Sequence, residues 1–278
     1  MTHLLQVTLT VPEAKRLIAR AIARLPEVEA ARAGGRILLK GGTTVSAVAE
    51  ELAGVKLHIS GRVSPRGTRA AATPGASPHS LLLENGVPSP VDDRLAEAVC
   101  ALGSRDVVIT GANLIDAQGN AAMMAGAELG GPPGQVMAGL MAQGATVIIA
   151  AGLEKLGPVP VSVAVQAAGR TRPGRSLGMA VGLMPLAGRL ITEVEALGIL
   201  GASAVTVVGR GGLDGAEGAT TLVIAAGSAQ QAGQVWQEVL AVKGAGHSGA
   251  QDWLAECEGR QPGCRGHRGC VYRKGGQA

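Results

Sequence analysis

The chain has 278 residues, enough for one large domain or two modest ones, and its formal net charge of +4 is only mildly basic. Aromatic residues make up 1% of the sequence, and a mild positive charge without aromatic stacking platforms argues against a dedicated nucleic-acid-binding protein. The first residues do not form a basic region followed by a long apolar run, and the apolar segments are too short to span a bilayer. We therefore expect a cytoplasmic protein without a membrane partner.

The first part of the chain alternates between predicted helices and predicted strands. Thr10, Pro12 and Glu13 form a capping box with proline in the first turn, and apolar residues then follow at helical spacing until Pro26. Short apolar runs predict strands at residues 37–40, 55–59, 106–109 and 145–151, with helices at residues 45–52, 95–102 and 136–143. This alternation favours right-handed crossovers and one mainly parallel sheet with helices on both faces.

The pattern changes in two further regions. Residues 60–90 are rich in glycine, proline, serine and arginine, which predicts a long functional loop. Beyond residue 172, the sequence predicts a split βαβ subdomain with strands at residues 177–183, 204–208 and 220–225 and helices at residues 190–200 and 229–242. The predicted fold is α/β, a three-layer Rossmann-like mainly parallel sheet with this small subdomain. Its predicted units are a ligand-binding core at 1–172, the subdomain at 173–243 and a tail at 244–278.

The turn Gly41-Gly42-Thr43-Thr44 lies between a predicted strand and the amino terminus of a predicted helix. Free backbone amides and the helix dipole make such a turn a ready site for an anion, although a plain tight turn has the same sequence. Arg62, Arg66 and Arg69 follow in the predicted loop, where arginine forks bind phosphate or carboxylate or simply stay solvated. The residues of the turn, together with Arg62 and Arg66, are candidate ligand-binding groups.

A second glycine cluster, at residues 209–215, is superficially similar to a dinucleotide-binding fingerprint. Its spacing does not fit, and a predicted strand follows it where the fingerprint requires a helix. We therefore predict a hairpin loop here and expect no nicotinamide or flavin cofactor.

The tail contains three cysteines and a histidine close together, Cys257, Cys264, His267 and Cys270. Three thiolates and an imidazole can hold zinc in a tetrahedral site, and three cysteines could instead hold an iron–sulfur cluster. The remaining interpretation is a basic tail with incidental thiols.

In chain order, these motifs resemble the superfamily that unites ribose-5-phosphate isomerase, glucosamine-6-phosphate deaminase and the CoA transferases. The turn at 41–44 resembles its first phosphate-binding loop, and Thr110-Gly111-Ala112-Asn113, followed by Ile115-Asp116, resembles the isomerase's Asp-Gly-Ala-Asp-Glu-Val-Asp. Residues 154–163 resemble a further family run. The resemblance covers about residues 37–243. It implies a pocket at the carboxyl ends of the strands, lined by residues 41–44 together with Gly111, Ala112 and Asn113.

The candidate catalytic groups follow from where the sequence departs from that pattern. Thr110 and Asn113 stand where the isomerase has aspartates, so ribose-5-phosphate isomerase activity is not expected. Asp116 and Glu128 are the nearby carboxylates, and Lys155 is the nearby cation. In addition, Glu84-Asn85-Gly86 resembles the CoA-transferase motif whose glutamate forms a thioester, although the same three residues also predict a turn.

The leading hypothesis is a protein that binds a small anionic ligand, which would be a sugar phosphate, a nucleotide or a CoA ester. Whether the ligand is turned over stays open. One alternative is an isomerase or CoA-transferase-type enzyme that uses Asp116, Glu128 or Glu84. Another is a metal-dependent interaction or redox protein that acts through the tail. The sequence leaves a homo-oligomer open and gives no reason to expect a nucleic-acid partner.

Overall fold

The computed structural model describes residues 2–70, 76–250, 259, 264, 266, 267 and 269–273. Its strands are β1 (His3–Leu9), β2 (Arg36–Lys40), β3 (Gly61–Ser64), β4 (Gly67–Ala70), β5 (Ser80–Glu84), β6 (Val87–Pro90), β7 (Val107–Gly111), β8 (Leu114–Ile115), β9 (Ala121–Ala125), β10 (Thr146–Ala150), β11 (Gly182–Leu186), β12 (Arg189–Ile191), β13 (Ala204–Arg210) and β14 (Thr220–Ala226). Its helices are α1 (Val11–Ile22), α2 (Pro26–Gly34), α3 (Thr43–Ala53), α4 (Leu95–Cys100), α5 (Gly131–Ala142), α6 (Val161–Ala167), α7 (Glu193–Ile199) and α8 (Ala229–Leu240). Helices and strands are thus mixed along the chain, and the α/β class is confirmed.

The largest sheet has six strands in the order β12-β10-β7-β2-β5-β6. The strands β12, β10, β7 and β2 run parallel, whereas β5 and β6 form an antiparallel hairpin at one edge. The predicted strands at 37–40, 106–109 and 145–151 are therefore neighbours in one sheet, as expected. The sheet as a whole is mixed.

Helices cover both faces of this sheet, because alternate strand residues belong to different cores. Ile37 and Leu39 pack in a cluster with apolar residues of α1, α3, α7 and α8. Leu38 and Val108 pack on the opposite face with residues of α4 and α5. Strands buried on both faces require near-continuous apolar sequence, which explains the run Ile37-Leu38-Leu39.

Two smaller sheets complete the framework. One has the order β1-β14-β13, so it combines the first strand of the chain with the hairpin predicted at residues 204–208 and 220–225, which is confirmed. The final predicted helix is also confirmed as α8. The other sheet has the order β11-β9-β8. The predicted strand at 177–183 lies further along the chain, as β11, because its pairing with β9 begins only at Gly182.

Two predictions are wrong. Residues 55–59 are not a strand, because their backbone groups bond elsewhere: Leu57 N donates to Ser46 Oγ, and His58 N donates to Pro78 O. Residues 60–90 are not one long loop, because they include the β3–β4 and β5–β6 hairpins. The buried run Leu81-Leu82-Leu83 forms β5 beside β2.

In the portion of the chain with described coordinates, no helix combines the length and the apolar character needed to cross a lipid bilayer.

Candidate functional site

A cleft with a volume of about 190 Å³ opens at the carboxyl ends of β2 and β7. The two strands are parallel, with Lys40 paired to Thr110, so the loops that follow them leave the sheet at the same edge. Gly41-Gly42 from one loop and Gly111-Ala112-Asn113 from the other line the cleft. The prediction that these two loops meet is therefore confirmed. The carbonyl oxygen of the Asn113 side chain accepts a hydrogen bond from Met124 N at 2.9 Å, which fixes the orientation of that amide.

Lys40 is the most unusual residue of the cleft, because it is a lysine at the end of a buried strand. Its side chain is only 2% exposed, and it lies on the same face of β2 as Leu38. Its ammonium group contacts Met123 Sδ at 4.0 Å. Within the described part of the chain Lys40 forms no ion pair. Burial therefore lowers the pKa of Lys40 from 10.5 to about 8.

The β3–β4 hairpin forms the opposite wall and contributes two arginines, Arg62 and Arg69, to the cleft. The two residues are direct partners across the hairpin, and Arg69 is only 2% exposed. The pair therefore brings two guanidinium groups to the same wall of the cleft. Of the two arginines predicted as ligand-binding residues, Arg62 lines the cleft, whereas Arg66 is exposed and does not.

His79 lies against the glycine turn and completes this side of the cleft. A side-chain carbon on Gly41 would lie 1.9 Å from the His79 ring, so the turn requires glycine at position 41 to let the imidazole approach. Nδ1 of His79 is 3.0 Å from His58 O, and because a carbonyl oxygen only accepts, this nitrogen carries the proton. Nε2 then keeps a lone pair in the neutral ring. Burial lowers the pKa of His79, and the positive charge of Lys40 lowers it further.

The threonines of the predicted anion turn have other surroundings. Gly42, with φ of 128°, caps α3, and Thr43 and Thr44 are the first residues of the helix. Thr43 Oγ1 accepts a hydrogen bond from Lys15 Nζ at 2.9 Å, and Lys15 also forms an ion pair with Glu154 at 3.2 Å. Neither threonine is among the described residues that line the cleft. The glycines of this turn therefore face the cleft, and the Thr43 hydroxyl instead ties the helix to α1.

The three predicted catalytic residues lie outside the described lining of the cleft. The Asp116 carboxylate accepts hydrogen bonds from the backbone amides of Val161, Gln118 and Asn120 and from the Asn120 side chain. These bonds, with that from Val161 first, lower the pKa of Asp116, and they hold a turn together. Lys155 ends a short 3-10 helix at Leu153–Lys155. Glu128 is exposed, on another short 3-10 helix.

Glu84 lies far from the cleft along the sheet. It is paired with Arg36, at the amino end of β2, whereas the cleft lies at the carboxyl end of the same strand. Its carboxylate forms an ion pair with Arg36 at 2.7 Å. Asn85 and Gly86 both have positive φ angles, 51° and 78°, which is the conformation of a two-residue hairpin turn.

Tyr272, in the described part of the tail, packs against two arginines of the β3–β4 hairpin. The ring of Tyr272 lies 4.4 Å from the guanidinium carbon of Arg66 and 5.0 Å from that of Arg69. Of the predicted metal ligands, Cys264, His267 and Cys270 belong to this part, and Cys257 lies outside the described residues. Among the residues with described positions, no group of three or more His, Cys, Asp or Glu side chains is arranged to hold a metal ion.

The sequence analysis missed Lys40 and His79 as site residues. Lys40 had a usable signal, because a lysine directly after Ile37-Leu38-Leu39 interrupts a buried strand at the edge where ligands bind in parallel α/β sheets. His79 had no comparable signal, since it is brought to Gly41 by the β5 strand that the sequence reading placed in a loop.

Comparison of the chain with protein-family models, with curated proteins and with solved structures finds no match.

Proposed function

We propose that the cleft binds a small ligand with a phosphate or carboxylate group, such as a sugar phosphate, a nucleotide or a CoA ester. Three cationic side chains, Lys40, Arg62 and Arg69, line one small space. Among the lining residues that the structure describes there is no aspartate or glutamate. Such a surface attracts anions and strengthens their binding as water is excluded.

The cross-strand pair of Arg62 and Arg69 is the observation that carries this proposal. A hairpin could place these two side chains on opposite faces or far apart, yet they are direct partners and both border the cleft. Two guanidinium groups at one wall suit an anionic ligand, because guanidinium forks hold phosphate or carboxylate oxygens with good geometry.

The glycine turn supports the same proposal from the other wall. Gly41 and Gly42 border the cleft directly before the amino end of α3, where free amides and the helix dipole favour negative charge. The resemblance of the motif order to the superfamily of ribose-5-phosphate isomerase and the CoA transferases agrees with an anionic ligand at this edge. It also agrees with a three-layer, Rossmann-like core.

The proposal is tested by replacing one arginine and measuring anion binding by calorimetry. The probes are inorganic phosphate, ribose 5-phosphate, AMP and CoA, with uncharged ribose and adenosine as controls. Arg69→Met should weaken the best-bound anion by roughly tenfold to a hundredfold, because a hydrogen bond to a charged group contributes about 1.5–3 kcal/mol. Arg105→Met, at an exposed arginine that does not line the cleft, is the matched control and should bind like the wild type. Absence of binding by every anion would refute the proposal.

A further inference from the structure

Lys40 contributes more than a positive charge to the cleft. An arginine would provide a permanent charge, and the arginines already present bind anions without being deprotonated. The second buried lysine, Lys15, shows how this protein holds an ammonium group for structural purposes: it forms an ion pair with Glu154 at 3.2 Å and donates to Thr43. Lys40 is also buried, but among the described residues the polar contact of its nitrogen is a thioether sulfur, that of Met123.

A lysine amine becomes a nucleophile when its surroundings favour the neutral form. Around Lys40 the buried apolar strand and the nearby methionine provide little solvation for an ammonium group. His79 lines the same cleft with Nδ1 bonded to His58 O, so its Nε2, which is 3.5 Å from Ser60 Oγ, is the nitrogen that can accept and return a proton.

We propose that Lys40 forms a covalent imine with an anionic ligand that contains an aldehyde or ketone group, such as a phosphorylated sugar in its open form. This inference rests on the proposed anion site and specifies its ligand class. The lone pair of Nζ attacks the carbonyl carbon, and the carbonyl π electrons move to oxygen. The two protons of the amine pass to that oxygen, with His79 as the relay. A carbon–nitrogen double bond forms as one water molecule leaves, so no oxidant or reductant is needed.

The geometry also explains how a phosphate would direct the reaction. Lys40 is at the end of β2, and the arginine pair is on the facing hairpin, so one small ligand can reach both walls of a cleft of about 190 Å³. The arginines and the turn amides would hold the phosphate while the carbonyl group faces the amine. Holding both reactants in one place supplies much of the rate advantage of such reactions.

Reductive trapping tests the inference on the full-length protein. Protein is incubated with glyceraldehyde 3-phosphate, the imine is reduced with sodium cyanoborohydride, and the modified peptides are identified by mass spectrometry. We expect modification at Lys40 to be at least about tenfold faster than at exposed Lys56, and at least about tenfold slower with unphosphorylated glyceraldehyde, which lacks the charged contacts.

Two conservative variants separate charge from nucleophilicity. Lys40→Arg keeps a positive charge but has no primary amine, so it should lose the trapped adduct. Lys56→Arg is the matched control and should retain modification at Lys40 at the wild-type rate. Anion binding without preferential labelling of Lys40, or an equal yield of adduct in Lys40→Arg, would overturn the imine proposal and leave the anion site standing. Failure of all anions to bind would instead overturn both.

Discussion

Replacing Lys40 with methionine should stabilise the protein at neutral pH. Methionine has a similar unbranched shape and needs no hydration, so it can occupy the buried end of β2 without the cost of desolvating an ammonium group. The fall in the pKa of Lys40 from 10.5 to about 8 corresponds to about 3 kcal/mol of unfavourable free energy for the charged form in the folded state. Below pH 8 both the folded and the unfolded wild type are protonated, so Lys40→Met should gain up to about 3 kcal/mol there.

The sign of the pH dependence follows from the same shift. Between about pH 8 and 10.5 the unfolded wild type holds more protons at this lysine than the folded protein, so wild-type stability rises with pH through this window. The advantage of Lys40→Met should therefore shrink as pH rises and vanish above 10.5. Because other groups titrate in both proteins, the quantity to follow is the difference between the two unfolding free energies.

Urea denaturation of both proteins across this pH range measures that difference directly. Lys56→Met is the control, because Lys56 is exposed and its replacement should change stability by less than about 0.5 kcal/mol at any pH. A Lys40→Met protein that is no more stable than wild type near neutral pH would refute the reasoning. So would an advantage that does not diminish as pH rises. We expect Lys40→Met to be more stable than the wild type and to bind the anion series less tightly, because groups that serve binding often lower stability.

Two further predictions concern the glycine turn and the tail. Gly41→Ala would place a methyl group 1.9 Å from the His79 ring, so His79 must move. We expect a loss of about 1–3 kcal/mol in stability and weaker anion binding, both measured by calorimetry. Gly34→Ala, at a glycine with open space around it, is the control and should leave anion binding unchanged. If Cys257, Cys264, His267 and Cys270 share a zinc ion, elemental analysis of untagged protein should find an equimolar amount of zinc, and Cys264→Ser should lose it. Wild-type protein that contains no metal would refute the metal hypothesis.

Sequence periodicity alone predicted most of the described helices and three of the parallel strands. These elements are long enough, or apolar enough, for local pattern to determine their structure. The run Ile37-Leu38-Leu39 is buried on both faces, and a strand in that setting has few alternatives. The meeting of the two glycine-containing loops at one edge was also predictable, because parallel neighbouring strands must end on the same side.

The predictions failed where pairing over long distances decides the structure. Residues 55–59 have the composition of a strand, but the Ser46 hydroxyl and Pro78 carbonyl bond their amides. The composition of residues 60–90 predicts a loop, although the β3–β4 and β5–β6 hairpins in this stretch supply one wall of the cleft and an edge of the sheet. Local composition does not reveal which partner satisfies a backbone amide, and tertiary contacts made the choice here.

The sequence by itself determined the α/β class, the parallel strands of the core and the meeting of the two glycine-containing loops at one edge, because these depend on periodicity and on strand direction. Only the tertiary structure decided which side chains line the cleft. It placed His79 against Gly41 and paired Arg62 with Arg69 across a hairpin. It also placed Asp116 outside the cleft, where hydrogen bonds within a turn occupy its carboxylate. The lowered pKa of Lys40 has the same origin, since it is caused by burial, which is a property of the folded chain.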